Sequence, residues 1–159
     1  DRSPAQMNDL SVDSLKLDSQ LCFKLYAASR AVVRGYKPML DRLGLTYPQY
    51  LVMLVLWEWQ ATPPSLPTVK ALGERLALDS GTLTPLLKRL EQLQLVQRQR
   101  SGRDEREVHL SLSERGLALR EQVPPLKAAL LCDSGIDLDN LDQLRDGLDQ
   151  LLQQIKALS

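Results

Sequence analysis

Few side chains in this sequence can do covalent chemistry. The chain has two cysteines, Cys22 and Cys132, and one histidine, His109. A thiol acts as nucleophile or metal ligand only as the thiolate, and a cysteine on a leucine-lined helix such as Cys22 is usually an inert core residue. The one histidine, His109, lies in a strand-like segment with Glu107 and Ser111 on its solvent-facing side, which gives a Cys/His pair or a Ser/His/Asp triad nothing to build on. Two cysteines and one histidine fall short of a structural zinc set, and no glycine-rich phosphate loop occurs. No metal and no cofactor is expected, and no enzyme.

A second group of residues suits binding rather than catalysis. Leu83, Leu86, Leu87 and Leu90 recur at i, i+3, i+4 and i+7, which gathers four leucines on one helical face. Thr82, Thr84, Lys88 and Arg89 lie on or beside the opposite face, with Ser80 at the helix start. Downstream, Arg98, Arg100, Arg103 and Arg106 cluster in one short stretch. Such a helix fits a DNA major groove, where base edges offer a distinct donor and acceptor pattern. Arg103 and Arg106 would reach the adjacent minor groove or its phosphates, with Asp104 or Glu105 holding an arginine in pose. Charged faces of this kind also simply solvate a surface, so the case depends on the elements around them.

Those elements read in order as follows. Residues 1–13 are polar and expected to be disordered. A helix follows from Ser14 to about Tyr36 on the pattern Leu17, Leu21, Leu25, Ala28, Val32, with a break at Lys37-Pro38 and a short helix Met39–Leu43 stopped by Gly44. Thr46 caps a helix that carries Pro48 in its first turn. Its run Tyr50–Trp59 is apolar almost all round, as a buried helix is. Beyond a loop on three prolines, Thr68 caps a short helix, and Ala77-Leu78-Asp79 turns into the leucine-faced helix. Pro85 would be costly inside a helix, by about 3 kcal/mol, so a late start with Thr82 as cap is expected. The segments 96–100 and 108–112 alternate like strands around a turn at 101–105. Short helix, turn, second helix and hairpin make a winged helix-turn-helix. Ser113 caps a further helix interrupted at Pro124-Pro125, and a last helix repeats Leu138, Leu141, Leu144, Leu148, Leu151, Leu152 and Ile155.

The fold expected is therefore mainly α with a small β-wing. N-terminal helices over 14–45 and C-terminal helices over 113–159 form dimerisation arms around a DNA-binding region at 46–112, all in one compact domain. The formal net charge is zero, which argues against a bulk polyelectrolyte binder. The balance is uneven, however: residues 68–106 hold 8 Lys/Arg against 5 Asp/Glu, and residues 133–159 hold 2 against 6. A basic centre is thus offset by an acidic tail. No membrane-length apolar run or signal pattern is present, so a cytoplasmic protein with reduced thiols is expected, meeting no membrane and associated with the nucleoid when bound to DNA.

The buried helix, the helix-turn-helix, the wing Asp104-Glu105-Arg106 and the helical arms together resemble the MarR family of bacterial repressors. Cys22 followed by Tyr26, Tyr36 and Leu45-Thr46-Tyr47-Pro48-Gln49-Tyr50 is similar, more narrowly, to its organic hydroperoxide regulators of the two-cysteine type. The resemblance covers nearly the whole chain from about Ser14. It implies a homodimer on a pseudo-palindromic double-stranded operator, with Cys22 as the redox sensor. Tyr36 and Tyr47 of the other subunit would hydrogen-bond to its thiolate, with Tyr26 nearby. It further implies Cys132 as the resolving cysteine, bonding Cys22 of the partner after an organic hydroperoxide has oxidised it. Two other readings remain open: a MarR-like repressor released by a phenolic or lipophilic ligand, and a thiol peroxidase.

Overall fold

In a computed structural model of the chain, residues 15–102 and 107–157 are described. Arg103, Asp104, Glu105, Arg106 and the segment 1–13 lie outside them. After a 3₁₀ turn at Leu17–Ser19, α1 spans Leu21–Leu43, α2 Tyr47–Ala61, α3 Val69–Leu76 and α4 Ser80–Gln92. An antiparallel hairpin of β1 (Val96–Arg100) and β2 (Val108–Leu112) follows, then α5 (Glu114–Leu119), a 3₁₀ turn, α6 (Val123–Ser134) and α7 (Leu138–Lys156). This is a winged helix-turn-helix flanked by helical arms.

The core lies where the buried faces of α2 and α4 meet. Val52, Met53, Leu56, Leu72, Leu83, Leu87 and Leu90 are all but inaccessible, joined by Val96 and Leu110 of the hairpin. α2 is held at its start by the expected Thr46 cap, as a full capping box with Gln49, and carries Pro48 in the first turn. Thr68 caps α3 by accepting from the Ala71 amide. Both strands fall where the alternation puts them, with Val96 opposite Leu112 and Arg98 opposite Leu110.

Pro38, Pro124 and Pro125 behave differently from expectation. α1 begins at Leu21 and runs unbroken through Pro38 to Leu43. Losing one backbone bond there costs about 3 kcal/mol. Burying Met39, Leu40 and Leu43 in the last turn returns about 1.5–3 kcal/mol each, so the helix continues. Gly44, at φ 72°, then closes it in the left-handed conformation, with Leu45 N–H bonded to the Leu40 carbonyl. Pro124 and Pro125 interrupt nothing: they occupy the first turn of α6, and the irregular turn is Arg120–Gln122 before them. No helix among the described residues is long and apolar enough to cross a membrane.

Candidate nucleic-acid interface and thiol site

α4 starts at Asp79, not at Thr82. The Asp79 carboxylate accepts the Thr82 amide at 2.7 Å, and this bond holds its pKa below the ordinary carboxylate value. Pro85 is therefore internal. Leu83, Leu87 and Leu90 are buried on one face, which offsets the single missing bond. Ser80, Thr82, Thr84, Lys88 and Arg89 are all exposed on the other side. Thr84 Oγ1 donates to the Ser80 carbonyl at 2.7 Å, so toward a ligand it has lone pairs to offer rather than its proton. Arg89 lies within a long 3.5 Å bond of Gln92. The other expected contacts, Arg103, Asp104 and Arg106, are in the segment outside the described residues.

The reading head is welded to the C-terminal arm at one joint. Gln94 takes the left-handed conformation at φ 60°, and its carbonyl accepts from Ser113 Oγ at 2.6 Å. Ser113 N–H bonds to the Leu95 carbonyl at 3.0 Å. Gly116 sits so close that an added Cβ would fall 2.2 Å from that same carbonyl oxygen. Trp57 of α2 completes the joint, its buried indole N–H donating to the Gly116 carbonyl at 2.9 Å. On the wing side, β2 is stitched to the loop before α3 by Leu110 N–H on the Pro67 carbonyl, and His109 Nε2 meets Glu107 Oε1 at 2.7 Å. Of the joint residues, the sequence singled out Ser113 alone, and only as a helix cap. The only signal was a glycine three positions after a capping serine.

The thiol residues divide into two groups. Tyr36 and Tyr47 come together, with ring centroids 5.7 Å apart, and Tyr50 joins them at 6.1 and 6.3 Å before meeting Trp57 edge-on. Burial raises the phenol pKa of Tyr47 and Tyr50, with Tyr36 adding to it. Their hydroxyls therefore stay protonated, and a protonated phenol is a donor for an anion. Cys22 is exposed at the far end of α1, about 21 Å from Tyr36 at 1.5 Å per residue. One protomer does not bring the two together. Tyr26 is one turn from Cys22, but its hydroxyl accepts from Arg30 at 2.6 Å and its ring carries that guanidinium at 5.3 Å. Cys132 is also exposed, near the end of α6. A crevice of about 550 Å³ between α1 and α6, open to solvent, is lined by Arg42, Gln122, Pro125 and Leu126.

Comparison with known proteins sets these features in context. Residues 34–123 match the family model described as transcriptional regulator SarA/Rot. The chain is 48% identical over 143 residues to the organic hydroperoxide resistance transcriptional regulator of Bacillus subtilis (strain 168), covering 90% of this chain and 94% of that one. Among solved structures it is similar to AbfR of Staphylococcus epidermidis. Reduced AbfR bound to DNA matches at a TM-score of 0.68 with 35% identity, over 90% of this chain and 98% of that one. AbfR with its disulfide formed matches at 0.59 with 34% identity, over 97% of each chain.

Proposed function

The chain belongs to the MarR/SarA-type family of winged-helix transcriptional regulators, as a relative of the organic hydroperoxide resistance regulators, and from that membership we propose that it is a homodimeric redox-sensing repressor. It holds a pseudo-palindromic operator while Cys22 is reduced and releases it when an organic hydroperoxide oxidises that thiol. The observation that carries the reading is the 48% identity, over 90% of the chain, to a regulator named for organic hydroperoxide resistance.

The chemistry balances without a cofactor. The Cys22 thiolate attacks the outer peroxide oxygen, the O–O bond breaks, and the alkoxide takes a proton and leaves as the alcohol. Cys22 is then a sulfenic acid. The Cys132 thiolate of the partner subunit attacks that sulfur, a disulfide forms, and hydroxide leaves as water. The peroxide is reduced by two electrons and the two thiols are oxidised by two.

Geometry supports the crossing between subunits. Arg42 of α1 and Leu126 of α6 line one crevice. From there Cys22 lies about 30 Å along α1 and Cys132 only about 9 Å along α6. A disulfide needs Cα atoms within about 7 Å, which one protomer does not offer while both helices keep their course. The same reasoning gives Cys22 to the partner's tyrosine pair, whose hydroxyls would donate to the thiolate and favour it. A dimer is favoured by α7, a 19-residue helix with no buried residue that carries an unbroken leucine stripe. On DNA, Ser80, Thr82, Thr84, Lys88 and Arg89 face the major groove, and Arg103, Asp104 and Arg106, outside the described residues, are the further expected contacts.

The test is operator affinity before and after one equivalent of cumene hydroperoxide, in the wild type, Cys22→Ser and Cys132→Ser, using a duplex enriched by the wild-type protein from a random library. The wild type should lose about a thousandfold, equivalent to about 4 kcal/mol, and Cys22→Ser should lose nothing. Unchanged wild-type affinity would remove the switch. The crevice at Arg42 favours the alternative of a repressor released by a lipophilic ligand, which would show as ligand-driven release in Cys22→Ser.

A further inference from the structure

Strand alternation places Val96, Arg98 and Arg100 on one face of β1, opposite Leu112, Leu110 and Val108 of β2. Val96 and Leu110 are buried, so this is the face the hairpin turns toward the core. Beyond Val96 the strand is exposed, and Arg98 stands at the edge of that apolar face. What receives Arg98 is Glu91, in the last turn of α4: Arg98 Nε and Glu91 Oε1 form an ion pair, each side chain only about a third accessible (31% and 33%). The pair spans the turn at Leu93–Leu95 and ties the end of the recognition helix to the middle of the wing strand.

We propose that Glu91 and Arg98 are positioning residues for DNA recognition, fixing the angle between recognition helix and wing so that both meet their grooves in register. This rests on the operator-reading function proposed above. An ion pair serves this better than another leucine would. Apolar contacts tolerate sliding, whereas a guanidinium held by a carboxylate has one preferred geometry. The bond also engages the Arg98 guanidinium, so that less of its charge is offered to phosphates, where a free cation would bind any sequence equally. The pair therefore contributes to discrimination more than to raw affinity.

The measurement is the ratio of affinity for the selected duplex to that for a random duplex of the same length, at fixed salt. Loss of a partly exposed pair is worth a factor of about two to five per head. With two heads, Glu91→Gln should lower the ratio about four- to twenty-five-fold, with thermal melting close to that of the wild type. The charge-swapped double variant, Glu91→Arg with Arg98→Glu, should recover most of it. A Glu91→Gln ratio within twofold of the wild type would overturn the proposal. So would a lowered ratio that the swap leaves unrepaired, because Arg98 would then be reading DNA itself. A wild-type ratio near one would instead count against the operator-reading function, so the two failures are distinguishable.

Discussion

At the mouth of the recognition helix a single carboxylate decides where the helix begins. Asp79 accepts the Thr82 amide, and its pKa is lowered chiefly by that bond. A carboxylate depressed in the native state adds stability that is complete above its unfolded pKa of about 4 and is lost as pH falls through the native value. Asp79→Ala should therefore lower Tm by about 2–4 °C near neutrality, and the gap between wild type and variant should narrow on acidification below about pH 4. A gap that stays constant to about pH 2.5 would show a cap that does not depend on charge. Sequence could not settle this residue. Asp79 and Thr82 are both good caps, and Pro85 taken alone argues for the later one. What decides is tertiary: Leu83 must already be in the helix to reach the core with Leu87 and Leu90, and that needs a start before Thr82.

The same contest between local rule and core recurs at the level of elements. Periodicity located α2, α3, α4, both strands and the capping threonines, because in each the apolar pattern and the local propensity agree. It failed at Pro38, where local chemistry said stop and three buried side chains said continue. It also passed over the joint at Gln94, Leu95, Ser113 and Gly116, since a left-handed glutamine and a close backbone approach leave no trace in an apolar pattern. That joint is where the C-terminal arm is bonded to α2 and to the turn between α4 and the hairpin. Gly116→Ala places a methyl 2.2 Å from the Leu95 carbonyl oxygen, where backbone has to shift. It should cost about 1–3 kcal/mol in urea denaturation, and operator affinity should fall more than for an Ala118→Ser control in the same helix. Equal stability of Gly116→Ala and the wild type would mean that the joint yields easily and cannot transmit strain.

In the whole molecule, the residues of the proposed thiol site do not meet within one chain. Tyr36, near the C-terminal end of α1, meets Tyr47 at the start of α2, whereas Cys22 is at the N-terminal end of α1 and Cys132 near the end of α6. The surfaces left over are those a second copy would cover. Leu138, Leu144, Leu152 and Ile155 of α7 are exposed, as are Leu17 and Leu21 ahead of and at the start of α1, and burial of each is worth about 1.5–3 kcal/mol. Aspartates 139, 142, 146 and 149 line the opposite side of α7, keeping that face in water. In the proposed dimer each Cys22 would approach the other chain's tyrosines and Cys132, which predicts a particular complementation. Cys22→Ser and Cys132→Ser chains cannot form the Cys22–Cys132 bond as homodimers. Co-expressed under different tags, they can form one such bond per mixed dimer, between Cys22 of one chain and Cys132 of the other. Stoichiometric cumene hydroperoxide should therefore give a covalent dimer carrying both tags on a non-reducing gel, and none from either variant alone. A covalent dimer from Cys132→Ser alone would mean that the two Cys22 thiols bond each other. Wild-type protein oxidised entirely within the monomer band would place the disulfide inside one chain, and α6 would then have to leave its present course to make it.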